Sequence, residues 1–199
     1  YSGRGGDITD VDLPFHRTRE MLDYLYERTK DIAAEYPDKQ VLTAGNYADA
    51  IYLYEKIKAD RPESVDRARE LLFDDGPGRV VKNGDGGPKV INVDHRGDVH
   101  PSMFLSQYTL GNVREQSLAE IMDESDLWSK LAAPSEHLTG KCGDCPWKEV
   151  CGGSSRARAA AVYDDLWASD PRCYLTESER LGDDAPGVTD TNQIASTSD

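Results

Sequence analysis

The sequence predicts an α/β chain in two parts, a helix-rich run with one short strand over residues 1–75 and a small α+β domain over residues 89–175. Two observations carry this. Apolar residues recur at helical spacing through the first part, whereas the second opens with a hairpin pattern and continues as short capped helices around four cysteines. A glycine- and proline-rich stretch over 76–88 separates the two and reads as a linker.

Residues 1–16 are rich in Gly and Asp and read as loop. Leu22, Leu25, Ile32 and Tyr36 then share one helical face, and Pro37-Asp38 ends that helix. Val41 and Leu42 suggest a short strand over 39–44. Asn46 is placed to cap a helix that carries Ile51, Tyr54 and Ile57 on one face. Pro62 suits the first turn of another, striped by Val65, Ala68 and Leu72. Loop, helix, strand and helix in this order resemble the tail of a parallel α/β layer more than a closed domain.

After the linker, Val90, Ile91 and Val93 predict a strand, residues 95–98 a turn and Val99 the returning strand, which together make a β-hairpin. Ser117-Leu118-Ala119-Glu120 is a capping box that starts a helix bearing Leu118, Ile121 and Met122. Leu127, Trp128 and Leu131 mark a further short helix, and residues 154–167 another. Residues 176–199 are rich in Ser, Thr, Asp and Gly without periodicity and read as a disordered acidic tail.

Composition narrows the function classes. With 37 Asp+Glu against 23 Lys+Arg the net charge is −14, and phosphate binding has no basic stripe to use, so nucleic acid is not an expected partner. Asp outnumbers Glu by 24 to 13 and Arg outnumbers Lys by 14 to 9. That skew suits a halophilic cytoplasm, where salt screens self-repulsion and carboxylates hold water; an ordinary acidic protein is the alternative. No apolar run approaches a membrane span and no signal-peptide pattern opens the chain. The expectation is therefore a cytoplasmic protein, in which clustered cysteines mean metal more often than disulfide. The abrupt opening Tyr1-Ser2-Gly3-Arg4-Gly5-Gly6 reads as a strand-end loop and suggests a C-terminal piece of a longer protein.

All four cysteines fall in the pattern Cys142-x2-Cys145-x5-Cys151-x21-Cys173. Four thiolates complete one tetrahedral zinc or one cubane iron–sulfur cluster. Cys142-Gly143-Asp144-Cys145 is a tight turn that converges two ligands, and Gly152-Gly153 lets the chain pass close to a bulky centre. Structural zinc usually repeats the short knuckle, which the Cys151/Cys173 pair does not. Spacing alone leaves both metals open. His16, His95, His100 and His137 are alternative ligands, but the thiols already fill a site and surface or turn positions suit these histidines. The glycine run over 74–88 lacks the G-K-[ST] ending of a phosphate loop.

Several motifs occur in order: Gly111-Asn112-Val113, the capping box at 117–120, Gly140-Lys141-Cys142-Gly143-Asp144-Cys145, Cys151-Gly152-Gly153-Ser154-Ser155-Arg156-Ala157-Arg158-Ala159 and Asp170-Pro171-Arg172-Cys173. Across about residues 88–175 they resemble the C-terminal SPASM/twitch auxiliary-cluster region of radical S-adenosylmethionine proteins, most nearly the branch of the haem and haem d1 pathways. Residues 1–75 are similar, more loosely, to the last strand–helix units of the partial TIM-like barrel of those proteins.

The resemblance implies one [4Fe–4S] cluster held by Cys142, Cys145, Cys151 and Cys173, with Zn2+ the alternative. It implies a single-cluster form, since His100-Pro101-Ser102-Met103 holds no thiol where full SPASM domains place a further ligand. It also implies a tetrapyrrole substrate, an electron donor and radical decarboxylation or side-chain removal on a haem precursor. The C-x3-C-x2-C loop that binds the radical-generating cluster and S-adenosylmethionine is not in this sequence, whose cysteines all lie at 142 or beyond. Two expectations follow, a fragment of a radical enzyme or a non-catalytic relative that kept the auxiliary domain. A zinc-stabilised interaction domain is a third.

Other candidates are weighed against plainer roles. Arg156 and Arg158 are placed to clamp tetrapyrrole propionates, or else to neutralise cluster charge or pair with Asp164 and Asp165. Trp147 shields a cluster from water, or simply packs. Arg4, in a glycine-rich loop of the kind that barrel enzymes turn towards ligands, is a candidate contact for S-adenosylmethionine or substrate.

Overall fold

Helix formers run unbroken from Phe15 until Tyr36-Pro37, and this stretch makes α1 (Phe15–Glu35). The computed structural model describes residues 12–39, 41, 43, 45–73 and 90–182. Within α1 only Leu22 is buried, so the helix lies on the outside of the fold. At its end the Tyr36 N–H bonds the Ile32 carbonyl and Pro37 stops propagation.

The strand expected over 39–44 is not seen at the described residues 39, 41 and 43. Helix α2 (Ala48–Asp60) follows, and the Asn46 side-chain oxygen accepts the Ala48 N–H at 3.3 Å, as a capping residue should. A 3-10 turn opened by Pro62 leads into α3 (Val65–Phe73). Among the described residues this part is therefore helical, and the α/β layer expected from its sequence does not emerge.

Helix α2 is the centre of the packing because two of its faces are apolar. One face, with Ile51 and Tyr54, packs with Ala68 and Phe73 of α3 and with Trp147 and Val150 from the cysteine segment. The other, with Ala48 and Tyr52, packs with Leu22 of α1 and with Tyr174. The two halves of the sequence thus share one core through α2.

The second part opens with a three-stranded antiparallel sheet, β1 (Asn92–Val93), β2 (Asp98–His100) and β3 (Gly111–Asn112), in that spatial order. Val93 pairs with Val99, and Val99 with Gly111. The hairpin turn is fixed by Asp94, whose carboxylate accepts the N–H groups of Arg96 and Asp98 at 2.8 and 3.0 Å. The third strand was not expected.

Helix α4 (Leu118–Glu124) carries the complete Ser117/Glu120 capping box, and α5 (Asp126–Ala132) is capped by Ser125. Two single-turn helices, α6 (Gly140–Gly143) and α7 (Lys148–Cys151), bear cysteines, and α8 (Arg156–Tyr163) follows. A third cluster of Leu105, Ala157, Ala160 and Leu166 ties the β2–β3 loop to α8.

The aperiodic tail expected from residue 176 begins later. A Thr176/Glu179 capping box starts α9 (Glu177–Arg180), and Glu179 reaches Arg19 of α1 through paired bonds of 2.8 and 2.7 Å. Residues 183–199 and the linker over 76–88 lie outside the described residues. Among those described, no helix is long and apolar enough to cross a membrane.

Candidate metal centre

The four cysteines come from three local structures. Cys142 sits in the α6 turn, where Ser169 Oγ accepts its N–H at 3.1 Å, and Cys145 follows three residues on, its N–H bonded to the Cys142 carbonyl. Cys151 is the last residue of α7. Cys173 is set by the turn after Asp170, which accepts the Cys173 N–H through its carbonyl.

Immediately after Cys151 the chain runs through Gly152, Gly153 and Ser154 at φ of 60°, 75° and 58°. Three successive left-handed residues fold the backbone back beside the thiols, and only glycine takes the middle position without collision. A Cβ on Gly153 would lie 2.5 Å from Leu138 and 2.7 Å from the Arg156 guanidinium. Ser154, with no such licence, is held by its hydroxyl, which accepts from the Tyr47 N–H at 3.1 Å and lies 3.3 Å from the Asn46 side-chain oxygen.

All four thiols are free and line one cavity, with Ala48 and Ile51 of α2 forming its apolar wall. The space that a water-sized sphere can occupy there is small, about 20 Å³. Among the described residues no group of three His, Cys, Asp or Glu side chains is drawn together as if around one metal ion. Burial pushes the Cys145, Cys151 and Cys173 thiols up, and their mutual nearness adds to it. Such a set stays protonated until a cationic centre takes the thiolates, which is the chemistry of a metal or cluster site.

Trp147 lies between Cys145 and Cys151 in the chain and is wholly buried. Its ring stands 5.6 Å from Tyr54 and 5.1 Å from Phe73, and its Nε1–H bonds the Glu179 carbonyl at 3.3 Å. The same apolar cluster borders Cys145 and Cys151, so the ring anchors the cysteine segment on α2 and α3.

Arg158 and Arg156, the candidate propionate clamp, are engaged within the fold. Arg158 forms a fork on Asp170 (3.1 and 2.6 Å) and also bonds the Gly45 carbonyl at 2.7 Å. Arg156 has no exposed surface and donates to the carbonyls of Leu166, Ala168 and Gly153. Neither takes Asp164 or Asp165 as its ion-pair partner. Side chains in the first turn of a helix lean back towards its N-terminus, which carries both guanidinium groups away from those aspartates. Arg4 lies outside the described residues.

Sequence reasoning missed Asp170 and Tyr174. Asp170 is fully buried and, besides Arg158, accepts the N–H groups of Ser155 and Arg172 at 3.1 and 2.9 Å. Burial works to raise its carboxyl, but the bonds from Arg158 and the two N–H groups outweigh it and hold the group below the usual range. Tyr174, next to Cys173, donates to buried Asp49 of α2 at 2.7 Å. Burial drives the Tyr174 phenol and the Asp49 carboxyl both upward. The one signal open to sequence was the position of Asp170 at the head of Asp170-Pro171-Arg172-Cys173.

Comparison with known proteins places this geometry. Residues 86–146 match the SPASM iron–sulfur cluster-binding domain. The match takes in the sheet, α4 to α6 and the first two cysteines, and it bears out the SPASM resemblance on which the cluster expectation rested. The Fe-coproporphyrin III synthase of Methanosarcina barkeri is 34% identical over 186 residues, covering 90% of this chain and 45% of its own length. The pre-heme d1 synthase of Dinoroseobacter shibae is 35% identical over 182 residues, 90% of this chain and 44% of its own. The AdoMet-dependent heme synthase of M. barkeri is 41% identical over 95 residues, 48% of this chain and 26% of its own. The chain spans less than half the length of these relatives.

Proposed function

We propose that this chain is the auxiliary-cluster portion of a radical S-adenosylmethionine protein that modifies a tetrapyrrole, with one [4Fe–4S] cluster on Cys142, Cys145, Cys151 and Cys173. The observation that carries the reading is the convergence of all four thiols on one cavity next to a SPASM match. The match to an iron–sulfur cluster-binding domain favours a polynuclear cluster over one Zn2+ ion. When bound, it supplies one-electron storage close to a substrate. Trp147 and the α2 wall keep water from one side of it. Lys141 and Lys148 border the opening, their amines held on the carbonyls of Cys173 and Gly143.

By likeness to the haem-pathway relatives, the parent reaction is radical decarboxylation or side-chain removal on a haem precursor. Helices α1–α3 would then close a partial barrel that carries the radical-generating loop and S-adenosylmethionine, and an external protein would exchange the electron. The acidic composition supports a high-salt cytoplasm as the setting. Two experiments test the reading. Single Cys→Ser changes at the four positions should each abolish or weaken the visible iron–sulfur absorbance of the reconstituted chain; one that leaves it unchanged removes that ligand from the set. The full-length protein, given S-adenosylmethionine, dithionite and an iron coproporphyrin, should release 5′-deoxyadenosine together with a decarboxylated tetrapyrrole. S-adenosylmethionine cleavage that is indifferent to any tetrapyrrole would overturn the substrate assignment.

A further inference from the structure

Arg156 is a wholly buried cation whose charge the packing alone does not explain. Its acceptors are three backbone carbonyls, and among the described residues no carboxylate bonds it. Buried Asp170 also acts on Arg156 through its charge, but its oxygens are occupied by the Arg158 fork. The Arg156 Nε has no hydrogen-bond partner at all. A guanidinium removed from water in this state is costly unless negative charge stands close by. The structure shows where that charge belongs. Arg156 bonds the carbonyl of Gly153, and Gly153 lines the thiol cavity together with Cys142, Cys151 and Asp170. Cys142 and Cys151 are also among the charges that act most strongly on Arg156.

We propose that Arg156, behind Gly153, is the fixed counter-charge of the four-cysteine centre and sets its reduction potential, with Asp170, which lines the cavity, as the opposing charge. The inference rests on the iron–sulfur reading of the site. A cluster on four thiolates is anionic and gains a further negative charge on reduction. A positive charge buried beside it, in surroundings that screen poorly, stabilises the reduced form, and a buried carboxylate destabilises it. Arg156 thereby acts through the thiolates as a positioning and tuning residue, with no need to touch substrate. The two signs can be removed separately.

The test is an anaerobic, EPR-monitored redox titration of the reconstituted wild type, Arg156→Gln and Asp170→Asn, with folding checked by circular dichroism. Arg156→Gln should lower the equilibrium constant for one-electron reduction at least tenfold, a shift of about 59 mV to more negative potential. Asp170→Asn, which keeps the shape of its side chain, should shift the potential the opposite way. A purely structural role for Arg156 would change stability and leave the potential in place. If the wild type takes up a cluster and both folded variants keep its potential, or both move in one direction, the proposal is overturned while the cluster assignment stands. If Arg156→Gln does not fold, Asp170→Asn decides, and an unchanged potential there overturns it equally. If the wild type takes up no cluster, the assignment of the site fails, and the tuning role with it.

Discussion

Replacing Trp147 with alanine probes how the cysteine segment is joined to the helices. The side chain is 0% exposed. An aromatic ring of this kind buries roughly 150–250 Å². At about 25 cal/mol per Å² that burial corresponds to about 4–6 kcal/mol, as an upper bound because the unfolded chain hides part of the same area. Alanine replacements of buried aromatic residues cost about 3–5 kcal/mol. The Nε1–H bond to the Glu179 carbonyl is long at 3.3 Å and adds at most about 1 kcal/mol. Trp147→Ala should therefore destabilise the apo chain by about 4 kcal/mol, a large part of the ~5–15 kcal/mol that holds a typical domain together. Urea unfolding followed by circular dichroism would show the midpoint falling by about 2 M at an ordinary slope of ~2 kcal/mol/M. Trp147→Phe keeps an aromatic ring against Tyr54 and Phe73 and should lose about 1–2 kcal/mol. Because Cys145 and Cys151 border the same cluster, the alanine variant should also take up cluster poorly and lose it faster in air. A loss below about 1 kcal/mol for Trp147→Ala, the size of a single hydrogen bond, would refute the view that this ring bridges the two halves.

Three further outcomes follow from the site. Tyr174→Phe leaves the buried Asp49 carboxylate without its 2.7 Å donor and should cost about 1–3 kcal/mol by urea unfolding; a neutral result would mean water replaces the hydroxyl freely. Gly153→Ala must place a Cβ against Leu138 and Arg156 at positive φ and should cost at least about 1–3 kcal/mol while lowering cluster yield; wild-type behaviour in both readouts would contradict the tight turn. Asp170 gives a pH dependence. Its folded-state value is depressed, so its contribution is present above the ordinary carboxylate range and is lost as pH falls through the folded value. Asp49, raised by burial, works in the opposite sense, so the difference between wild type and Asp170→Asn is the quantity to follow. That difference should hold from neutral pH to about 5 and shrink below about 4, and a gap that widened on acidification would contradict the sign.

What sequence could reveal followed the range of each interaction. The four-thiol site was legible because cysteines are chemically distinctive and three of the four lie within ten residues, Cys142 to Cys151. The helices from Phe15 to Phe73 and the Ser117/Glu120 box were legible because periodicity and capping are local. Strand β3 was not, since Gly111-Asn112 offers no alternation and becomes a strand only by pairing with β2. The strand read into 39–44 is not seen at residues 39, 41 and 43, the described ones of that stretch.

The partners of Arg156 and Arg158 were not legible for a related cause. Arg158 meets Asp170 and Gly45, 12 and 113 residues away, and no spacing rule announces such a pairing. The helical turn at 177–180 was hidden by tail-like composition and is held by Arg19 and Trp147, at the far side of the fold in sequence terms.

The central claim is that the four cysteines hold a single iron–sulfur cluster, and the most direct measurement is the metal and sulfide content of the chain after anaerobic reconstitution and desalting, read with its EPR spectrum after reduction. The account predicts about four iron and four acid-labile sulfide per chain, and an EPR signal that is lost with Cys142, Cys145, Cys151 or Cys173. About one tightly held zinc, with no sulfide, would contradict it.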